Sequence, residues 1–437
     1  MTVCMRLLVS LVLVLSLAGG ASSQEIESPV SLSATGTLFG FPPASPSFKD
    51  GVVLHSQDNQ HQVRVTGLLQ ADYRAYPNPG DAADIDTFLV RRARLGIEAN
   101  VFKNYELRFV PDWGNGRSLI QDAYINIHHF DEVQLQIGKF RPPVGYERLI
   151  RARFMPLFER SMLDQLIPAR DTGIMLHGQD LFGGRLDYAI SAMNGEMNSD
   201  VDSNKLRDLI GRVAVTPFHG ESFPEILRQI QVGISGSTGK QESALAPNVL
   251  RTPGSIPWLT FASSVRADGT RTRWTPEVTY FYRSFGFAAQ YLHMSQEVRA
   301  SAVGPIVNIP FDGYYLHGTY LLTGEQRTSY NQVVTPNRPF DPRHPLASPG
   351  AWELVGRFSH LQVGEQIFLP GSLRLADPNS NSAAASELSL GFNWHLNSQV
   401  RMQFNWEHAW YRTPIKLGTQ AFFGQTNAAL VRFQISF

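Results

Sequence analysis

An arginine-rich segment in the first half of the chain has the residue types needed to bind anions. Residues 139–170 read KFRPPVGYERLIRARFMPLFERSMLDQLIPAR and hold seven basic and three acidic side chains, in a chain with 38 basic and 38 acidic residues overall. The basic ones are Lys139, Arg141, Arg148, Arg151, Arg153, Arg160 and Arg170. A guanidinium group can hold two phosphate oxygens at once, and a ring of such groups in a pore selects anions. We therefore take Arg148, Arg151 and Arg153 as candidate anion-binding residues.

A second arginine cluster lies in the stretch LVRRARLG. In a strand, alternation places Arg92 and Arg94 on one face together with Glu98, and it places Arg91 on the other face unless a bulge intervenes. A charge facing the middle of a bilayer costs about 2–4 kcal/mol, so we expect Arg91 either near the rim of a barrel or turned inward by a register irregularity. The alternative for every one of these arginines, those of residues 139–170 included, is a structural pairing with a wall carboxylate such as Glu98, Glu106 or Asp122.

The segment 139–170 is also too apolar to be a solvated surface loop. It contains Leu149, Ile150, Phe154, Met155, Leu157, Phe158, Met162, Leu163, Leu166 and Ile167. Such side chains need a surface to pack against. The inner wall of a β-barrel would provide one, and the arginines would then lie along the water path.

The elements that would position these residues are strands with alternating polarity. In QVRMQFNWEHAW, for example, Val400, Met402 and Phe404 alternate with polar residues. About sixteen segments of this kind follow one another after residue 61, and short connections alternate with long ones. The link from Gly324 to Gly350 is long where the alternation requires a short one.

These patterns predict an all-β fold, namely a transmembrane antiparallel β-barrel of about sixteen strands with inward-folded constriction loops. A bilayer offers no hydrogen-bond partners to backbone groups, so a β structure that crosses it must close on itself. Tyrosine and tryptophan residues near the strand ends fit the aromatic girdles of such barrels. The alternative is a soluble secreted β-sandwich or propeller, whose strands are shorter.

The two ends of the chain carry their own signals. Residues 1–21 have the charged start, apolar core and small residues of a secretory signal peptide, and the alternative is a membrane anchor. We expect a flexible periplasmic lead-in over residues 22–60, with a short strand at Val52 to His55, and the outer-membrane barrel over residues 61–437. The only cysteine is Cys4. We therefore expect neither a disulfide nor a Cys-ligated metal, and no cofactor. The balanced charge gives no reason to expect a nucleic-acid partner.

Several motifs resemble, in order and spacing, the phosphate-selective porin O and P family. They are RVTGLLQADY, FLVRRARLGIEA, IGKFRPPVGYERL with FMPLFERS, TYLLTGEQR, GAWELVGRFSH and LGFNWHLNSQVRMQFNW. The resemblance runs from about Gly51 to Phe437. It implies a trimeric sixteen-stranded outer-membrane porin in which anions move along arginines to a lysine-rich constriction. The terminal Phe437 also resembles the ending of outer-membrane barrel proteins, where it is a signal to the barrel assembly machinery.

The resemblance also assigns roles to particular residues. Family constriction positions fall on Arg91, Arg92 and Arg153, and Arg153 stands where phosphate channels of the family carry a lysine. A second lumen-entering segment in the family corresponds to the long link before GAWEL, whose candidate basic residues are Arg327, Arg338 and Arg343. This chain has no lysine between Lys240 and Lys416, so a lysine-rich constriction is absent from that link.

The sequence therefore predicts a water-filled, anion-preferring channel for passive diffusion of phosphate or similar small anions. The expected location is the outer membrane, reached through the Sec pathway, with membrane lipid and a homotrimer as partners. One alternative is a general, non-selective porin, and another is a non-conducting structural barrel. An outer-membrane hydrolase is a further alternative, but the histidines, for example His128, His177, His293 and His317, adjoin no catalytic motif.

Overall fold

A closed antiparallel β-barrel of sixteen strands makes up most of the computed structural model, which describes residues 51–77, 86–195, 206–418 and 421–437. The expected signal peptide and most of the expected lead-in lie outside these residues. In chain order the strands are β1 Gln62–Ala75, β2 Thr87–Val101, β3 Tyr105–Asp112, β4 Leu119–Phe130, β5 Val133–Phe140, β6 Asp171–Asp180, β7 Leu186–Met193, β8 Asp208–Val215, β9 Ile230–Ala244, β10 Arg266–Tyr282, β11 Phe285–Arg299, β12 Val307–Leu321, β13 Ala351–Val363, β14 Ala384–His395, β15 Val400–Leu417 and β16 Ala421–Ser436.

Each strand pairs with the next, and β16 pairs with β1 to close the barrel. The short strand expected at Val52–His55 is present and pairs with β1. A two-stranded hairpin, Val249–Arg251 with Pro257–Thr260, lies in the connection between β9 and β10. The predicted fold class is confirmed.

The connections divide the barrel into two ends. At the short-turn end, β10 and β11 are joined by two residues and β14 and β15 by four. The link between β12 and β13, which the sequence marked as anomalous, belongs to this end, because Phe340 N–H donates to Leu396 O at the β14–β15 turn. The connection over residues 216–229 is also long at this end, which the alternation did not predict. The opposite end, where β5 meets β6, is the long-loop end.

The barrel wall alternates as the sequence pattern requires. On β15, Trp406 faces outward and is 42% exposed, whereas its inward-facing neighbours Asn405 and Glu407 are buried. Part of the inward face is covered by protein. Gln403, which is fully buried, donates from Nε2 to the carbonyl oxygens of Met155 and Pro156 at 3.3 and 3.2 Å.

Residues 141–170, the inserted loop, cover this part of the inner wall. The loop contains a short helix α1, Tyr146–Leu149, and two 3-10 turns, Ala152–Phe154 and Met162–Leu166. Its buried apolar side chains include Val144, Ile150, Met155, Leu157, Phe158, Met162, Leu163, Leu166 and Ile167. Most of them share one core with Trp258, Leu292 and Phe311 from the β9–β10 connection and the wall. The expectation that the loop packs inside the barrel is confirmed.

The remaining helical elements are short. Single 3-10 turns occur at Gly114–Gly116, Glu225–Leu227, Glu365–Phe368 and Gly371–Leu373, and a tight turn spans Leu181–Gly184. Among the residues that the structure describes, no helix combines the length and the apolar character needed to cross a membrane.

The seam between β16 and β1 brings the backbones of Gly67 and Phe437 together. Gly67 N–H donates to Phe437 O at 3.0 Å, and Phe437 N–H donates to Gly67 O at 3.1 Å. A Cβ atom on Gly67 would lie 2.3 Å from Cε1 of the Phe437 ring. The ring of Phe437 therefore occupies the space that any side chain at residue 67 would need.

Replacing Gly67 with alanine is expected to cost about 1–3 kcal/mol of unfolding free energy, because the Phe437 ring must leave its position at the seam. Urea unfolding of the refolded protein, followed by tryptophan fluorescence, measures this. Gly318→Ala on β12 is the matched control, since a Cβ there meets nothing within 4 Å. Equal losses for the two variants would contradict the steric explanation.

Candidate functional site

A cavity of about 570 Å³, the vestibule, lies between the inserted loop and β1–β4. Residues of the long loops at the long-loop end, including Asn115 and Arg251, also line it. Among the residues that the structure describes, ten arginines and three acidic side chains, Asp112, Glu159 and Asp164, line the vestibule. The arginines are Arg74, Arg91, Arg92, Arg94, Arg117, Arg141, Arg148, Arg160, Arg170 and Arg251. The described lining therefore carries a large excess of positive charge, all of it from arginine.

A β-bulge on β2 places Arg91 in this cavity. Gln70 on β1 pairs with Arg92, but the next residue, Ala71, pairs with Val90, so Arg91 is the extra residue. The bulge changes which face each side chain takes, and Arg91 and Arg92 both turn inward. Of the two positions expected for Arg91, the inward one is observed.

Four guanidinium groups converge on the carboxylate of Glu159 in the inserted loop. Arg91 Nε donates to Glu159 Oε1 at 2.6 Å, and Arg92 Nη2 donates to Oε2 at 3.1 Å. Nη2 of Arg74 and Nη2 of Arg432 lie 3.2 and 3.3 Å from Oε1. Burial alone raises the pKa of Glu159, but the charges of Arg91, Arg92, Arg432 and Arg74 outweigh burial and hold this pKa well below its usual range. Glu159 is therefore ionised at neutral pH.

Asp72 on β1 is the second carboxylate of this cluster. Its two oxygens accept from Nε and Nη2 of Arg432 at 2.7 and 2.8 Å, and Oδ2 also accepts from Arg74 Nη2 at 3.1 Å. The Arg432 guanidinium also lies 4.0 Å from the centroid of the Phe158 ring. Together, Asp72 and Glu159 join β1, β2, β16 and the inserted loop.

The other arginines of β2 and β3 pair differently. Arg94 Nε donates to Asp112 Oδ2 at 2.7 Å. Arg170 pairs with Asp122 at 2.7 Å, and Arg108 bridges Glu98 and Asp122. Structural pairing with a wall carboxylate is thus observed for Arg94 with Asp112 and for Arg170 with Asp122. Arg91 and Arg92 pair instead with Glu159 of the inserted loop.

The three candidates in the inserted loop have three different environments. Arg148 is buried, donates to the carbonyl oxygens of Asp164 and Ile167, and pairs with the Asp164 carboxylate at 2.7 Å. Burial lowers the pKa of Arg148 to about 10, so it keeps its charge at neutral pH. Arg151 is exposed, and its backbone N–H donates to Asn331 Oδ1 at 2.8 Å. The guanidinium of Arg153 lies 4.5 Å from the centroid of the Phe154 ring.

Two narrow cavities continue from the vestibule toward the short-turn end. The second cavity, about 60 Å³, shares Arg94, Arg141 and Arg170 with the vestibule and is also lined by Arg151 and Arg153. The third, about 30 Å³, shares Arg153 with the second and reaches the β14–β15 turn at residues 397–399. The shared arginines place the three cavities in succession between the two ends of the barrel.

Arg338 and Arg343 lie apart from these three cavities. Both are exposed, and Arg338 Nη1 donates to Ala347 O in its own segment. The part of the β12–β13 link that enters the barrel lies earlier in the chain. Arg327 pairs there with buried Glu353 at 2.7 Å, and Arg327 also lines the third cavity. Of the three basic residues considered for this link, Arg327 is therefore the one that lines one of the three cavities.

Several residues of the site were not among the candidates. Arg74, Arg141, Arg160 and Arg170 line the vestibule, and Arg432 completes the cluster around Glu159. Alternation did place Arg74 on the polar face of β1, and Arg432 stands on the polar face of β16. The sequence alone therefore predicts that both side chains point inward. It does not predict their contact with Glu159, because residues 74, 159 and 432 are distant in the chain.

Comparison with known proteins agrees with this geometry. The family model described as phosphate-selective porin O and P matches residues 63–437. Porin O of Pseudomonas aeruginosa is 23% identical over 389 residues, which cover 81% of this chain and 84% of that protein.

Solved structures show the same fold at low sequence identity. OmpT of Vibrio cholerae, in its trimer form, has a TM-score of 0.53 at 12% identity and covers 86% of this chain and 99% of its own. An anion-selective porin from Comamonas acidovorans has a TM-score of 0.51 at 13% identity, with coverages of 86% and 100%. Since the family model spans the whole barrel, this chain belongs to the phosphate-selective porin O and P family and forms an outer-membrane porin channel.

Proposed function

We propose that this porin is an anion-preferring channel through which phosphate or similar small anions diffuse passively. The observation that carries the proposal is the succession of three cavities linked by shared arginines. Anions that enter the vestibule meet a lining with a strong positive excess, and this favours them over cations before the passage narrows. Arg91, Arg92, Arg94, Arg148, Arg151 and Arg153 are the proposed anion-path residues. Arg338 and Arg343 would act only at the rim of the short-turn end, as exposed charges.

Phosphate is the proposed solute for two reasons. The family description and the name of the anion-selective relative point to anions, and a guanidinium fork matches two phosphate oxygens. Where the family resemblance implies lysine at the constriction, this chain has Arg153. Arginine keeps its charge at any physiological pH, so the proposed preference does not depend on lysine.

A salt gradient across a planar bilayer tests the anion preference. With potassium chloride at different concentrations on the two sides, the reversal potential of the parent channel is expected to show that chloride permeates better than potassium. Added inorganic phosphate is expected to reduce the chloride current by binding along the arginines. A reversal potential showing that potassium permeates better than chloride would refute the proposal. A chloride current that added phosphate does not change would favour the general porin.

We also propose that the channel works as a homotrimer. Strands β3, β5, β7 and β8 have eight residues each, whereas β9–β16 have 12 to 18. Eight residues tilted by ~40° span roughly 21 Å, less than the ~25 Å apolar band of outer-membrane barrels. The part of the barrel wall formed by these short strands is therefore suited to contact with neighbouring subunits. OmpT of Vibrio cholerae, which has the same fold, is described in a trimer form.

Export through the Sec pathway and recognition of Phe437 by the barrel assembly machinery are proposed from the sequence signals, with membrane lipid around the outward face. We propose a channel and not an enzyme. A hydrolase would need a nucleophile paired with a histidine on the inner wall, and esterase activity abolished by one serine substitution would support that alternative.

A further inference from the structure

The surroundings of Glu159 have the form of an occupied oxyanion site. Donors from Arg74, Arg91, Arg92 and Arg432 reach both carboxylate oxygens at 2.6–3.3 Å. These arginines come from β1, β2 and β16, and three of them also line the vestibule, as does Glu159 itself. Phosphate and carboxylate oxygens are bound by guanidinium groups in the same way. The chain's own carboxylate therefore stands where a solute anion would otherwise be held.

The charges of this cluster do not cancel. Four arginines face two carboxylates, Asp72 and Glu159, and the side chains of Arg74, Arg92 and Arg432 are at most 7% exposed. Opposite charges attract strongly when they are removed from water. Without Glu159, three uncompensated positive charges would adjoin the vestibule.

The inserted loop fixes Glu159 in this position. Arg357 Nη1 donates to the carbonyl oxygen of Glu159 at 2.8 Å, and Arg432 Nη1 donates to that of Phe158 at 2.6 Å. The Phe158 side chain is fully buried. The backbone on both sides of the carboxylate is thus anchored to the wall, which suits a permanent counter-charge and not a gate that moves away.

We propose that Glu159 is a built-in counter-anion that fills this oxyanion site and thereby keeps passing anions from being trapped. The inference rests on the proposed anion channel and goes beyond it by naming the residue that limits how tightly the vestibule holds an anion. Conduction requires binding that is favourable enough for entry and weak enough for exit. A four-arginine site open to solute would favour entry and slow exit.

Glu159→Gln and Glu159→Ala test this inference, with Asp164→Asn as the matched control. Asp164 also lines the vestibule and pairs with Arg148, so its replacement changes the charge of the cavity by the same amount without opening the four-arginine site. Block of the chloride current by inorganic phosphate measures binding. Glu159→Ala vacates the site and is expected to bind phosphate at least about tenfold more tightly than the parent, because charge-assisted hydrogen bonds are added. Glu159→Gln removes the charge but keeps most of the side-chain volume, so its gain is expected to be smaller. Asp164→Asn is expected to change binding by much less.

A second measurement does not depend on conduction. Formate is small enough to take the place of the missing carboxylate in Glu159→Ala. Formate is therefore expected to raise the thermal unfolding temperature of this variant, but not that of the parent or of Asp164→Asn. If Glu159→Ala does not fold, phosphate binding to Glu159→Gln by calorimetry serves instead.

Two results would overturn the inference. One is phosphate affinity in both Glu159 variants equal to that of the parent, and the other is an equal gain in Asp164→Asn, which would assign the effect to overall charge. The proposed function fails separately. A parent channel that prefers cations, with tighter phosphate binding in the Glu159 variants, would refute the anion channel but still support the oxyanion site filled by Glu159.

Discussion

Replacing Arg153 with glutamate is expected to remove the anion preference of the channel or invert it. Arg153 lines both narrow cavities, and these are so small, about 60 and 30 Å³, that any ion passing them comes close to its side chain. The substitution changes the local charge by two units. Unit charges ~4 Å apart near a protein surface interact by about 4 kcal/mol, and about a third of this is enough to lower the anion-to-cation permeability ratio about tenfold.

Arg338→Glu is the matched control for this experiment. It makes the same change of charge on an exposed side chain outside the three cavities. The backbone at residue 153 is held independently of its side chain, because Arg401 Nη2 and Gln434 Nε2 donate to its carbonyl oxygen at 3.0 Å each. Reversal potentials in a salt gradient measure both variants. Unchanged selectivity in Arg153→Glu would remove Arg153 from the anion path.

Replacing Asp72 with asparagine is expected to lower the free energy of unfolding by about 3–5 kcal/mol, the usual cost of breaking a buried ion pair by removing one partner. Asp72 is 2% exposed and is the bidentate partner of Arg432, which is 1% exposed. Its neutralisation leaves the guanidinium groups of Arg74 and Arg432 with Glu159 as their remaining carboxylate partner in the cluster.

Urea unfolding of refolded protein in lipid or detergent, followed by tryptophan fluorescence, measures this loss. Glu365→Gln provides the comparison, because Glu365 pairs with Arg412 at an exposed site. An exposed pair contributes ~0–1 kcal/mol. A loss of similar size in the two variants would show that the Asp72 cluster does not stabilise the barrel.

The barrel was predictable because its wall follows a local rule. Each strand has one side facing out of the barrel and one facing in, and the difference in polarity between the two sides gives the sequence a two-residue period, as on β15. The packing of the inserted loop was predictable for a similar reason, because ten or so apolar side chains in one loop need a protein surface. Both inferences use only neighbouring residues and the properties of the bilayer.

The site was less predictable because it depends on irregularities and on distant contacts. Periodicity cannot place a bulge, and the bulge at Arg91 decides that two adjacent arginines point inward together. Spacing also cannot tell which part of a long link enters the barrel, which is why Arg338 and Arg343 were considered beside Arg327. The cluster around Glu159 joins residues from 72 to 432, and no local pattern encodes such a meeting.

The seam between β16 and β1 has a consequence for biogenesis. Its partners, such as Leu430 and Arg74, are separated by almost the whole barrel sequence, so this pairing has the largest loop-closure cost of any in the wall. Until β16 reaches β1, the growing sheet keeps two open edges that can recruit strands of other chains. Maturation of this protein therefore depends on keeping the nascent polypeptide from aggregating until its outermost strands have found each other.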